Sequence, residues 1–313
     1  MKLSIVTTLY RSETYVKEFF TRVSNVANTL VGADFEVIFV NDGSPDNSLN
    51  ESLVLCSEHG NIVVIDLSRN FGHHKALMAG LERATGDYVY LIDSDLEEEP
   101  EWLKDFYKQL HEERCDVVFG QQRIRKGGWG ERISGYFFYR LFRLLTGVSQ
   151  PNNITTARLM TRRYVNALLL HKETEINIGG LWVITGFKQA SRIVIKHATS
   201  PTTYNFSRKL SHFVNAITSF SSMPLMLIFY SGLIISGSAM MFILYLVLKY
   251  VMNSTVPMGY TSIIASIWLF SGLIIFFMGI QGVYLSKIFG EVKRRPNSII
   301  REIYTKATME RKK

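Results

Sequence analysis

Cysteine is nearly missing. The 313 residues hold two, Cys56 and Cys115, far apart in the chain. They show neither metal-ligand nor redox spacing, so both are expected to be reduced thiols of a cytosolic domain. Two glycine signatures are missing as well. No G-x-G-x-x-G follows the first apolar run and no G-x-x-x-x-G-K-[ST] occurs anywhere, which weighs against a dinucleotide fold or a P-loop. Charge is missing from two long tracts. No Asp, Glu, Lys or Arg lies between Phe213 and Leu248, or between Tyr250 and Ser286. The opening MKLSIVTTLYRSETYV, by contrast, meets charge too early for a secretory signal peptide.

The charge-free tracts contain PLMLIFYSGLIISGSAMMFILYLVL and SIIASIWLFSGLIIFFMGIQGVYLS, each about 25 residues long. At ~1.5 Å per residue, either can cross a ~30 Å hydrocarbon core. Their polar residues are little more than Ser, Gly and one Gln, so neither has the polar face of a soluble helix. Transmembrane helices are therefore expected at 223–249 and 260–286. The final segment, 287–313, carries Lys287, Lys293, Arg294, Arg295, Arg301, Lys306, Arg311, Lys312 and Lys313. The positive-inside rule places this basic tail, and with it the N-terminal domain, in the cytoplasm, giving a multi-pass protein with both termini cytoplasmic. Ahead of the first span, Leu210, Phe213, Val214, Ile217 and Phe220 recur at helical spacing. This suits an interfacial amphipathic helix over 206–222, or an extension of the span. Gly232, Gly237 and Gly272 permit close helix packing, leaving a homo-oligomer open.

The chain carries a net +8, but the first 200 residues hold 23 Lys/Arg against 24 Asp/Glu. A globally basic nucleic-acid enzyme is thereby disfavoured. These residues alternate apolar runs with amphipathic ones. Strands are expected at LSIVTTLY, FEVIFVND, NIVVIDLS, YVYLID and DVVFGQQ. Helices are expected from about Ser12 to Val31, Asp46 to His59, His73 to Ala84, and along EPEWLKDFYKQLHEE. Such alternation predicts an α/β domain with a largely parallel sheet covered on both faces. Ligands of such sheets bind beyond the carboxyl ends of the strands. Those ends carry TLYRSE, NDGSPD, LSRNFGHH and DSDLEE.

DSDLEE places Asp93, Asp95 and Glu97 within five positions. Carboxylates cannot bind a diphosphate directly. They can do so through a hard divalent cation, Mg²⁺ or Mn²⁺. The alternative is an acidic first turn of the next helix, which accounts poorly for Asp93 at a strand end. His73 and His74, adjacent at a helix start, point in different directions and are not read as a metal pair.

In their order, TLYRSE, VNDGSPDNS, SRNFGHHKALMAGLERATGDYV and DSDLEE resemble family 2 glycosyltransferases of the GT-A fold. More narrowly they resemble the polyprenyl-phosphate type, the bactoprenol glucosyltransferases and dolichol-phosphate mannose synthases. The resemblance covers nearly the whole chain and implies a GT-A catalytic domain over 1–205. It implies a nucleotide diphosphate sugar donor, UDP-glucose-like, and a polyprenyl phosphate acceptor, undecaprenyl phosphate, at the inner (cytoplasmic) membrane. It assigns Thr8, Tyr10, Glu13, Asp42, Arg69, Asn70, Gly72, Asp93 and Ser94 to the nucleotide sugar. Asp95 and Glu97 become metal ligands, with Glu97 where many relatives carry Gln. Asp93, Asp95, Arg123 and Arg132 become the catalytic set.

Between Gln121 and Lys172 lie ten Lys/Arg and a single acid, Glu131, interleaved with WGERISGYFFYRLFRLLTG. Basic residues among aromatics suit nucleic acid or a lipid phosphate; the two apolar tracts favour the lipid. By resemblance Arg123, Lys126, Arg132, Arg158 and Arg208 face the lipid phosphate; Arg140 and Arg143 are expected to snorkel. Thr156 stands where relatives commonly carry Asp. Two rivals remain at this point. A processive polysaccharide synthase would need Q-x-x-R-W, and QRIRK has Lys126 in the last place. A non-enzymatic binder of sugar nucleotide or lipid carrier would tolerate loss of Asp95.

Overall fold

The computed structural model describes residues 1–122, 151, 153–173, 176–197, 223–253 and 259–311. They fall into two compact units. One comprises the described residues up to 197 together with 295–311, and the other runs over 223–253 and 259–294.

In the first unit, strands β1 (Leu3–Leu9), β2 (Phe35–Asn41), β3 (Ile62–Leu67) and β4 (Tyr88–Leu91) alternate with helices α1 (Val16–Val31), α2 (Ser48–Glu58) and α3 (His73–Arg83). Then follow α4 (Trp102–Glu113), β5 (Val117–Gln122), β6 (Ile154–Thr161), α5 (Arg162–Leu168), α6 (Ile178–Ile184) and β7 (Gln189–Val194). The eight strands of the sheet are ordered β7-β5-β6-β4-β1-β2-β3-β8, with β8 spanning Ile300–Thr305.

Successive strand residues point to opposite faces, and the burial follows that period of two. Ile5, Leu9, Val37 and Phe39 join Phe19, Val23, Leu103 and Phe106 on one side. Val6, Ile38, Val40 and Val89 join Ala76, Leu77, Leu81 and Tyr164 on the other. At ~1.5–3 kcal/mol per large apolar side chain, these two layers supply the main drive for folding.

The sheet is mixed, which corrects the expectation of a largely parallel one in two places. Strand β6 runs antiparallel to both β4 and β5, and β8 runs antiparallel to β3. The second difference also changes the reading of 287–313. Instead of a plain basic tail, this segment returns to the sheet as β8, followed by a short helix, α9 (Lys306–Glu310), with Thr305 as its cap. Without it, β3 would leave a row of unpaired N–H and C=O groups at an open edge.

The second unit consists of two helices, α7 (Met223–Asn253) and α8 (Tyr260–Val292). They cover the segments expected as transmembrane. Among the described residues, Phe270–Val292 is the one stretch long and apolar enough to cross a membrane, and Met223–Ile235 is a shorter apolar one. The expected interfacial helix, 206–222, lies outside the described residues.

Candidate active site

Strands β1 and β4 are parallel neighbours, and the chain order reverses between them. This is a switch point, where open α/β sheets leave a crevice beyond the strand ends. Ser94 stitches it: its Oγ donates to the Thr8 carbonyl at 2.9 Å and lies in hydrogen-bond contact with Ser12 Oγ at 3.0 Å. Thr8 Oγ1 lies 3.0 Å from His73 Nδ1, whose Nε2 is 3.4 Å from Asp93 Oδ1. His74 turns away, with its Nδ1 3.0 Å from the Ile176 carbonyl. The two histidines thus diverge, and no metal pair forms.

Two loops at neighbouring strand ends interlock. Asp42 is buried and accepts from the N–H groups of Phe71 at 2.7 Å and Gly72 at 3.0 Å. Burial raises its carboxyl pKa, and these bonds oppose the shift. Gly72 takes φ = 99°, a region open to glycine. Gly43 takes φ = 58°, and a Cβ there would lie 2.5 Å from Asn70 N, so the loops touch backbone to backbone. The Arg69 guanidinium lies over the Phe71 ring at 4.1 Å and donates to the Asn70 carbonyl. Tyr10 is about half exposed at the rim. Glu13 Oε2 accepts from Asn47 N, and Glu13 N donates to Asp46. The strand ends of β1, β2 and β3 therefore bring Thr8, Tyr10, Glu13, Asp42, Arg69, Asn70 and Gly72 to one edge of the sheet.

At the end of β4 the chain bends sharply. Leu96 takes φ = 58°, and Asp95 Oδ1 accepts from Glu97 N at 3.0 Å. Asp93 Oδ1 is buried and makes no hydrogen bond, the His73 Nε2 contact at 3.4 Å not forming one. Burial and the neighbouring Asp93 charge raise the Asp95 carboxyl pKa. A buried orphan oxygen and two carboxylates that repel each other fit a hard divalent cation. Glu97 is held differently: Lys196 Nζ lies 3.2 Å from its Oε2. Among the described residues, no three His, Cys, Asp or Glu side chains converge as metal ligands. Asp93 and Asp95 would then be the protein's share of the coordination sphere, completed by oxygens of a bound phosphate or water.

Two residues of this site escape sequence reasoning. Glu98 is completely buried and accepts from the N–H groups of Thr156 at 3.0 Å and Ala157 at 2.7 Å. Burial and Asp93 push its carboxyl up to about 8. Lys196 lies just beyond β7, with Nζ 3.5 Å from Glu98. Burial works against its charge, but Glu98, Asp93 and Asp95 outweigh that and raise its pKa. Within DSDLEE nothing marks Glu98 as buried, and only the sheet brings Lys196 to it.

Arg158 is also buried. Its guanidinium stacks on Trp182, 2.9 Å from the ring centroid, and donates to the Thr155 and Thr156 carbonyls. Burial lowers its pKa to about 9. It lines a cavity of about 390 Å³ with Phe119, Ile154, Trp182, Phe187 and Gln189. This is a braced cation inside the fold. Arg123, Lys126, Arg132 and Arg208 lie outside the described residues.

Residues 4–169 match the glycosyl transferase family 2 model, Glycos_transf_2. The chain belongs to glycosyl transferase family 2. A protein of Mycobacterium tuberculosis named among the glycosyltransferases is 47% identical over 307 residues, 97% of this chain and 89% of its own. A prophage bactoprenol glucosyl transferase homolog of Escherichia coli is 28% identical over 311 residues, 97% of this chain and 99% of its own. The SfII prophage-derived bactoprenol glucosyl transferase of Shigella flexneri is 27% identical over 305 residues, 96% of this chain and 98% of its own. The chain is therefore a glycosyltransferase, similar to bactoprenol glucosyl transferases along nearly its whole length.

Proposed function

We propose that the chain transfers a sugar from a nucleotide diphosphate sugar, UDP-glucose-like, to a polyprenyl phosphate, undecaprenyl phosphate. The product is a polyprenyl-phosphate-linked sugar for cell-envelope glycan modification. The observation that carries this reading is the acidic end of β4, with the orphan Asp93 oxygen beside Asp95, set at the switch point against the Asp42 loops. The end-to-end similarity to bactoprenol glucosyl transferases supports the acceptor class.

The nucleotide occupies the rim formed by Thr8, Tyr10, Glu13, Asp42 and the Arg69–Gly72 loop. A Mg²⁺ or Mn²⁺ ion on Asp95 and Asp93 would supply charge stabilisation for the departing diphosphate. Ser94 and His73 fix the two strand ends that carry these groups. An acceptor phosphate oxygen attacks the anomeric carbon; the bond from that carbon to the diphosphate oxygen breaks, and its electron pair leaves with the nucleotide. A phosphate monoester is already ionised at neutral pH, so no general base is needed. Inversion at the anomeric carbon follows from a single displacement. Arg123, Lys126, Arg132 and Arg208 aim the acceptor phosphate, by charge-assisted hydrogen bonds. The enzyme sits in the inner membrane through two spans, with the catalytic domain and both termini cytoplasmic.

The test is nucleotide diphosphate release by detergent-purified protein with Mn²⁺ and a panel of nucleotide sugars, each with and without undecaprenyl phosphate. Lipid-dependent release from one donor is expected. Folded protein that releases nothing in response to the lipid from any donor rules the acceptor out.

A further inference from the structure

Asp66 is a buried carboxylate, 1% exposed, near the end of β3. Both of its oxygens are taken. Oδ1 accepts from Asn41 Nδ2 at 2.8 Å, and Oδ2 lies 3.1 Å from Arg301 Nη1. Asn41 ends β2 and in turn accepts at its Oδ1 from Ser44 N at 3.2 Å, inside NDGS. Arg301 stands on β8 and uses its second nitrogen as well, donating from Nη2 to the Ser68 carbonyl at 2.7 Å. Ser68 N donates to the Ile299 carbonyl at 2.9 Å.

Ser68 opens the segment whose Phe71 and Gly72 N–H groups hold Asp42. The returning C-terminal segment therefore grips both interlocked loops at their bases. It reaches one through Asp66 and Asn41, and the other through Ser68. Removing the Arg301 guanidinium would leave a buried anion with half its partners and loosen the base of the second loop, which would keep only the bond from Ser68 N to the Ile299 carbonyl.

We propose that Arg301 is a positioning residue of the donor site, and that β8 is the clamp that sets the two nucleotide-facing loops. This rests on reading NDGS and SRNFG as the donor loops. By linkage the effect is mutual: what β8 does for nucleotide affinity, bound nucleotide does for the docking of β8.

The experiment uses the full chain in detergent, with UDP, GDP and TDP as probes in the presence of Mg²⁺. Nucleotide affinity is measured by calorimetry and amide hydrogen exchange is followed over 299–305. For R301M, nucleotide binding is expected to weaken about ten-fold, or about 1.4 kcal/mol. In turnover, KM for the donor rises while kcat changes little, and R301K recovers part of the loss. In wild type, the nucleotide that binds slows exchange over 299–305. The double variant D66N/R301M, which removes the buried charge, is expected to stay weak. Recovery of wild-type affinity in D66N/R301M would reduce Arg301 to a counter-ion and overturn the proposal. So would a folded R301M with unchanged affinity. Wild-type protein that binds none of the three nucleotides overturns the donor reading and this proposal with it.

Discussion

The Lys196 ammonium lies 3.2 Å from the Glu97 carboxylate, although the two residues come from distant parts of the chain. It also faces the buried Glu98. Lys196→Met would strand the Glu97 carboxylate near Asp93 and Asp95 and remove the cation that faces Glu98. The expected cost is about 1–3 kcal/mol of stability. Denaturant titration of the detergent-solubilised protein reads it directly. Added Mg²⁺ should restore part of the loss, because a divalent cation neutralises the same cluster. An unchanged midpoint would show the pair to be screened by solvent.

Asp95→Asn keeps the size and the acceptor that closes the turn on Glu97 N, but removes a charge. Turnover should fall by about a hundredfold or more, as when a transition-state charge loses its main stabiliser. The thermal midpoint should stay the same or rise, since a repulsive neighbour of Asp93 is gone. Equal activity with a normal midpoint would favour a binding protein over an enzyme that depends on this carboxylate.

Glu98 makes a pH prediction. Its carboxyl is pushed from 4.5 to about 8, first by burial and then by Asp93. A group that binds its proton more tightly when folded contributes stability that is complete below about 4.5 and is lost as pH rises through about 8. Metal-free protein should therefore be less stable at about pH 9 than at about pH 6. Glu98→Gln should flatten that slope. It should also lower stability overall, because an amide cannot accept from both the Thr156 and Ala157 N–H groups. A slope unchanged in Glu98→Gln would assign the titration to another group.

Gly43→Ala tests the interlocked loops. A Cβ there would sit 2.5 Å from Asn70 N, and the φ of 58° is unfavourable for alanine. The loops must separate, so nucleotide binding should drop well before the sheet unfolds. Circular dichroism checks the sheet and calorimetry the nucleotide; retained affinity would show the contact to be dispensable.

Strands β1 to β5 and helices α1 to α4 are legible in the sequence because each is a local pattern: an apolar run, or an amphipathic period, ended by polar residues. The loops at their carboxyl ends follow, and with them Thr8, Asp42, Asp93 and Asp95. Strand β6 is not legible, because ITTARLMT does not state its direction and its partners β4 and β5 come from elsewhere in the chain. Strand β8 is hidden more deeply. IREIYT carries Arg301 and Glu302 and follows an apolar helix, so its charges look like a tail. Its Arg301 is not a tail charge but the partner of Asp66, a contact 235 positions long. Lys196 and Glu98 share that reason: a buried charge can be recognised only together with its distant partner.

The place of β8 in the chain orders biosynthesis. A ribosome delivers α7 and α8 before it delivers Ile300–Thr305. Domains otherwise tend to fold as they emerge, amino-terminal end first. Here the last sheet edge stays open until both long apolar helices have been handled, so a nascent chain arrested before residue 300 would hold its loops unclamped. On the proposal above, the loops would reach their clamped arrangement only after both hydrophobic segments had been made.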